Sequence, residues 1–256
     1  MLYAFGLLHA ALWLTRERDS LFRVAFIAFG VGSLFHLVSI AEQGLAQGHF
    51  PVNDIFQTLS LCAFLIAATF LFVYWRYRTA SLGVIIFPLV FVLALVAGLS
   101  SRFPAWSSPT FRSAALIAHI VFILLGYAAL LFTAIAAVAY LFQEMELKRK
   151  SPRGLAVKLP PLGTLDELIS SSLSLGFIAI TIGTVIGSVW ACVEFGTRWI
   201  MDPRIGISFV TWGIYLALVF FRATAGWRGR KAALLAIAAL CGSVVTWVAH
   251  VGILAG

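Results

Sequence analysis

The feature that most constrains this chain is a succession of apolar runs, most of them near the length that crosses a bilayer. They cover roughly residues 1–14, 21–43, 54–75, 81–100, 112–143, 168–190, 204–222 and 231–253. A helical span needs about 20 apolar residues at 1.5 Å each. The first run falls short of that length, and the fifth is long enough to project beyond the bilayer. Segments this apolar must be helices, because lipid offers no partner to a backbone N–H or C=O and a helix satisfies its own. Composition agrees: 62% of the 256 residues are hydrophobic and 11% are charged, too little polar surface for a soluble domain of this size. The expected fold is all-α, a polytopic membrane bundle of about eight transmembrane helices, read as a single membrane domain over residues 1–256. Connections fall near Gly98, Pro104, Pro109, Pro160, Pro161 and Gly226, residues that interrupt regular structure.

Charge orients the bundle. One alternate set of connections holds Arg16, Arg18, Arg23, Arg76, Arg78, Lys148, Arg149, Lys150, Arg153, Lys158, Arg222, Arg228, Arg230 and Lys231; the other holds Arg102, Arg112, Arg198 and Arg204. The first set is expected to be cytoplasmic, since short basic loops stay inside. Both termini and the connection between the sixth and seventh runs then lie on the outer face. The net charge of +8 is thus explained by topology and implies no nucleic-acid partner. The N-terminus lacks a basic n-region and a small-residue cleavage site, so no cleaved leader is expected. Cys62, Cys192 and Cys241 are widely separated, which argues against thiol–disulfide exchange and thiolate metal sites.

That outer connection reads WACVEFGTRWIMDPRIGISFVTW from Trp190 to Trp212. Its tryptophans offer broad apolar faces that suit a flat aromatic ligand. They also fit a membrane-interface belt, as do Trp106 and Trp227, and Asp202-Pro203 fits a helix cap with a first-turn proline. Four of the five histidines, His36, His49, His119 and His250, fall in the same outer half; His9 is ambiguous. Neutral imidazole is a good axial ligand for heme iron, although a lone histidine between helices is as readily a hydrogen-bonding residue.

The connection resembles the tryptophan-rich signature of the cytochrome c assembly family, the heme-handling membrane proteins of the CcsA, CcmC and HemX-like group. Trp190, Ala191, Gly196, Trp199, Asp202, Pro203, Arg204, Thr211 and Trp212 carry the match. HFPVNDIFQTLSL at 49–61, AHIVFILLGYAAL at 118–130, LPPLGTLDELISSSLSLGF before and into the sixth run, and GWRGRKAALLAI at 226–237 are similar too. The resemblance implies heme delivery at the outer face of a bacterial-type cytoplasmic membrane during cytochrome c biogenesis. The heme would be b-type, non-covalent and in transit to an apocytochrome c, with a membrane partner subunit. It implies His119 as an axial iron ligand, His36 and His250 as further candidates, and Trp190, Trp199 and Trp212 as the apolar wall. Asp202 belongs to the same binding motif, and Arg198 and Arg204 suit the propionates. It implies handling rather than bond-making by these side chains, as a component of a cytochrome c heme lyase system.

The chain also departs from the family pattern. Phe195 and Met201 stand where tryptophans are usual, Ile205 replaces an acidic residue, and Phe220 occupies a position that many members give to histidine. Two other readings therefore stay open: a non-heme-binding assembly or structural subunit that kept the fold, and a small-molecule transporter. The spans hold almost no charged residues away from their ends, which argues against proton or ion coupling.

Overall fold

The computed structural model describes residues 1–16, 18–48, 50–52, 54–99, 114–149, 158–196, 201 and 203–255, with the side chains of 203–204 and 245–255 outside the description. Among these residues the chain forms eight helices: α1 (Leu2–Arg16), α2 (Asp19–Gln47), α3 (Ile55–Tyr77), α4 (Ala80–Gly98), α5 (Ala114–Lys148), α6 (Leu162–Phe195), α7 (Pro203–Thr224) and α8 (Arg230–Ala255). Every expected apolar run has its helix. Six are long and apolar enough to cross a membrane: α2 to α6, and α7 over Ile205–Thr224. They form two compact units, Met1–Ser113 and Ala114–Gly256.

In the first unit α1 packs on α2 and α4, and α3 packs on α2 and α4. At 15 residues α1 is about 22 Å long, short of the ~30 Å hydrocarbon core. It is held by packing. Tyr3, Gly6, Ala10 and Trp13 recur at three- and four-residue spacing and are all buried. Gly6 permits close approach to α2, since a Cβ there would lie 3.1 Å from the Ala25 carbonyl. The core is aromatic. Phe29 stacks on Phe87 with ring centroids 4.2 Å apart, and Phe70 meets both edge-on at 5.8 and 5.3 Å. Outward-facing residues are apolar as well, among them Leu34, Phe35, Val38, Phe72 and Trp75. A helix that is hydrophobic all round suits a lipid surround.

Local chemistry sets several ends. The Asp54 side chain accepts from the Gln57 N–H at 2.7 Å, capping α3 by satisfying an orphan first-turn donor. Gly48 closes α2 at φ 67°, a conformation glycine adopts without penalty. Pro203 is the first residue of α7, where its missing N–H costs nothing. Two helices outrun their apolar sequence. Beyond residue 143, α5 continues for one more turn carrying Glu144–Lys148 and Glu146–Arg149 pairs at 2.7 and 3.3 Å. α6 begins at Leu162 rather than near 168, and the Asp166 so included is neutralised by Arg222 at 3.0 Å.

In the second unit α5 packs along α6 and against α8, and α7 packs on α6 and α8. Chain direction puts the described basic residues at one end of this unit: Lys148 and Arg149 where α5 ends, Lys158 just before α6, Arg222 where α7 ends, and Arg228, Arg230 and Lys231 where α8 begins. Arg16, Arg18, Arg76 and Arg78 likewise flank the tight α1–α2 and α3–α4 connections of the first unit, with Arg23 in the first turns of α2.

Candidate functional site

Among the described residues the α5–α6 pair is the most extensive helix contact, and glycine makes it possible. A Cβ on Gly176 would lie 2.8 Å from Leu130, and one on Gly183 would lie 2.9 Å from Ile123; one on Gly126 would collide with Ile180. Small residues let membrane helices approach until backbones nearly touch. Lower in the seam, Thr133 and Ser172 share a buried hydrogen bond of 2.9 Å, and the hydroxyl that accepts it donates to the carbonyl one turn back in its own helix, Ala129 or Leu168.

His119 belongs to this seam. It is the sixth residue of α5, about 7.5 Å along the axis from the helix start. Its ring occupies the space a side chain at Gly187 would need. Its Nδ1 lies 2.7 Å from the Gly183 carbonyl oxygen. A carbonyl only accepts, so Nδ1 carries the proton, and the neutral ring keeps its lone pair on Nε2. Among the described residues nothing else hydrogen-bonds this side chain. A backbone carbonyl that fixes one imidazole nitrogen is the usual support of a metal-ligating histidine, since it sets tautomer and ring direction together. The donor chemistry at His119 therefore fits an axial ligand to heme iron.

The tryptophans divide. Trp190 is three residues beyond Gly187 on α6, hence on the α5-facing side one turn further toward the α6 end, with its ring edge-on to Phe195 at 5.7 Å. Trp212, on α7, donates its indole N–H to Thr181 Oγ1 at 3.0 Å and stacks near Phe177 at 5.9 Å. Phe177 and Thr181 lie on an α6 face turned roughly 110° from the one holding Gly176, Ile180, Gly183 and Gly187, at about 100° per residue. Trp212 thus packs on the flank of α6 next to the one His119 meets.

His36 has a different setting. It lies on α2 in the first unit, with Nδ1 3.2 Å from the Tyr3 hydroxyl and Nε2 2.9 Å from Ser60 Oγ. Tyr3 in turn donates to Ser33 at 3.3 Å, so a polar chain ties α1, α2 and α3 together. His9 is engaged by its own helix, with Nδ1 3.0 Å from the Phe5 carbonyl. His250 lies on α8, its side chain outside the described residues. His49, Arg102, Arg112, Trp106, Arg198, Trp199 and Asp202 fall outside them altogether, as does the Arg204 side chain. Phe195, Met201 and Phe220, the departures noted above, are all exposed.

The sequence profile described as Cytochrome C assembly protein matches residues 31–252, a stretch that reaches across both units and carries His36, His119, the tryptophan-rich connection and His250. The chain belongs to the cytochrome c assembly protein family. Similar proteins include the cytochrome c biogenesis protein CcsA of Microcystis aeruginosa, 28% identical over 262 residues and covering 84% of this chain and 79% of that protein. The CcsA of Prochlorococcus marinus strain MIT 9312 is 28% identical over 265 residues, covering 93% and 83%. That of Rippkaea orientalis is 26% identical over 275 residues, covering 84% and 80%.

Within this cytochrome c assembly chain, sequence reasoning passed over the residues that place His119. Gly183 and Gly187 form a Gly-x-x-x-Gly pair, with Gly176 one face-repeat earlier. That spacing is a legible signal for close helix contact. Tyr3 and Ser60, which engage His36, leave no comparable signal, because single hydroxyls in apolar runs have no periodicity to betray a partner.

Proposed function

We propose that this membrane protein of cytochrome c biogenesis holds heme non-covalently in the outer half of the bilayer, with His119 as an axial ligand, and presents it to an apocytochrome c together with a membrane partner subunit. The observation that carries this reading is the hydrogen bond from His119 Nδ1 to the Gly183 carbonyl, which leaves the Nε2 lone pair as the ring's one remaining donor. Bound heme would supply an iron that accepts imidazole and two propionates that accept cations. The chain's own part is to hold and orient: Gly183 and Gly187 fix the ring, Trp190 and Trp199 provide the wall, and Arg198 and Arg204 neutralise the propionates. Trp212 supports that wall through its bond to Thr181. Asp202 belongs to the same motif. His250, in the same unit as His119, is a candidate for a second ligand, and residues 1–256 would act as one assembly-type domain.

The visible spectrum tests the proposal. Full-length protein purified in detergent from heme-sufficient cells should show a Soret band that His119→Ala weakens or shifts. No specific Soret signal after titration with heme would favour the other reading, an assembly subunit that kept the fold without the ligand, for which the exposed Phe195, Met201 and Phe220 speak. The outer placement has its own test. Cys192 is exposed near the outer-assigned end of α6, so an impermeant thiol reagent added outside spheroplasts should label it. Cysteines introduced between Lys148 and Lys158 should react only after permeabilisation.

A further inference from the structure

At the basic end of the second unit, between the start of α6 and the end of α7, lies a cavity of about 630 Å³. Arg222 lines it with a mostly buried side chain. Nη2 donates to Asp166 Oδ2 at 3.0 Å and to the Asp166 carbonyl at 2.9 Å, and Nε donates to Ser170 at 3.1 Å. Among the described residues Nη1 is buried without a partner. Buried guanidinium donors are almost always satisfied, so an unspent one on a side chain that lines a cavity marks a place for an acceptor. Asp166 does not supply it: its carbonyl and Oδ2 accept from Nη2, and its Oδ1 accepts the Gly229 N–H at 2.9 Å.

Two further charges line the cavity. Glu167 and Arg228 are both exposed, and among the described residues neither has a partner. With Asp166 and Arg222 neutralising each other, the lining offers one spare carboxylate, one spare guanidinium and the Nη1 donors. That set does not select a simple anion. It suits a ligand with both signs, a phosphodiester for Arg228 and Nη1 and a primary ammonium for Glu167. Leu173 and Val219 also line the cavity, one to two turns deeper along α6 and α7, so it continues into an apolar wall. A phosphodiester bearing an amine and an apolar tail, at the basic membrane-flanking end of the bundle, is an aminophospholipid. The same polar chemistry exists in water-soluble form, but the Leu173–Val219 wall would then contact nothing apolar.

We propose that this cavity is a binding site for the headgroup of a zwitterionic aminophospholipid such as phosphatidylethanolamine. Glu167 accepts from its ammonium, and Arg228 with Arg222 Nη1 donates to its phosphate. The proposal is independent of the heme reading, since it concerns the opposite end of the unit from His119.

Thermal unfolding of the full-length protein in detergent, with added lipid, tests it. Phosphatidylethanolamine should raise the midpoint above that in phosphatidylcholine or phosphatidylglycerol, on the scale of about 2–4 °C. Phosphatidylcholine keeps the phosphate but has no N–H to donate, and phosphatidylglycerol has no cation. Glu167→Gln should abolish the advantage of phosphatidylethanolamine over phosphatidylglycerol. Arg228→Gln should weaken the response to both. Both positions are exposed, so the variants should fold, and a normal midpoint without lipid confirms that they do. Equal shifts with all three lipids, or shifts untouched by either substitution, would overturn the proposal. So would an equal effect of soluble glycerophosphoethanolamine or inorganic phosphate at matched concentration, which would assign the cavity to a free phosphate compound.

Discussion

His36 and His119 are the same residue type on long apolar helices, yet the structure gives them different chemistry. His36 sits among hydroxyls, and both of its nitrogens are engaged, one by Tyr3 and one by Ser60. His119 sits among glycines, and one nitrogen is engaged by a carbonyl. Tyr3 spends its one O–H on Ser33, so its oxygen accepts from His36 Nδ1–H while Ser60 donates to Nε2, and neither nitrogen is left spare. A carbonyl can only accept, so the Gly183 contact dictates one tautomer and reserves the other nitrogen. The lesson is that a histidine's availability as a ligand is set by its neighbours' hydrogen-bonding sense. Depth in the membrane does not set it.

The comparison breaks most visibly at His119 itself. His119→Ala should lower heme affinity by more than the ~10- to 100-fold that loss of a supporting contact costs a metal site, as read by Soret titration of the purified protein. Retention of wild-type affinity and band position would remove His119 from the site. Gly187→Ala is the sharper variant, because it leaves the imidazole present and displaces it from the space it fills. Affinity should fall by about 10- to 100-fold, with helix content by circular dichroism unchanged; an unaltered Soret band would mean the ring does not need that position. His36→Ala should act on stability, costing on the order of 1 kcal/mol for the two hydrogen bonds lost, while the Soret position stays put. Loss of ligation in His36→Ala equal to that in His119→Ala would erase the distinction drawn here. The smallest effect belongs to Thr133→Val, which removes a seam hydrogen bond distant from the ring. About 0.6 kcal/mol is expected, the average for such bonds between membrane helices, with heme titration unchanged.

Much of the architecture was legible in advance. Each of the eight apolar runs became a helix, because a run that apolar has no other way to satisfy its backbone. The ends were less legible where polar residues extend a helix. α6 starts at Leu162 because Asp166 is met by Arg222 and Gly229, residues 56 and 63 positions away, and no local window contains that compensation. Of the candidate site, the sequence singled out His119 and the tryptophans by type and motif. It did not separate Trp190 from Trp212, which the turn of α6 places on two different faces.

What the sequence determined by itself was the class of solvent, the number of helices, the family and the identity of the residues worth testing. Those follow from run length, charge asymmetry and motif order, all of which are properties of the chain read in one dimension. The tertiary structure alone decided which histidine keeps a lone pair, where a buried arginine is left with an unspent donor, and how closely α5 and α6 approach. Each depends on groups between 46 and 68 residues apart meeting within about one hydrogen-bond length or one van der Waals contact, and hydrogen-bond direction and packing are decided at that range.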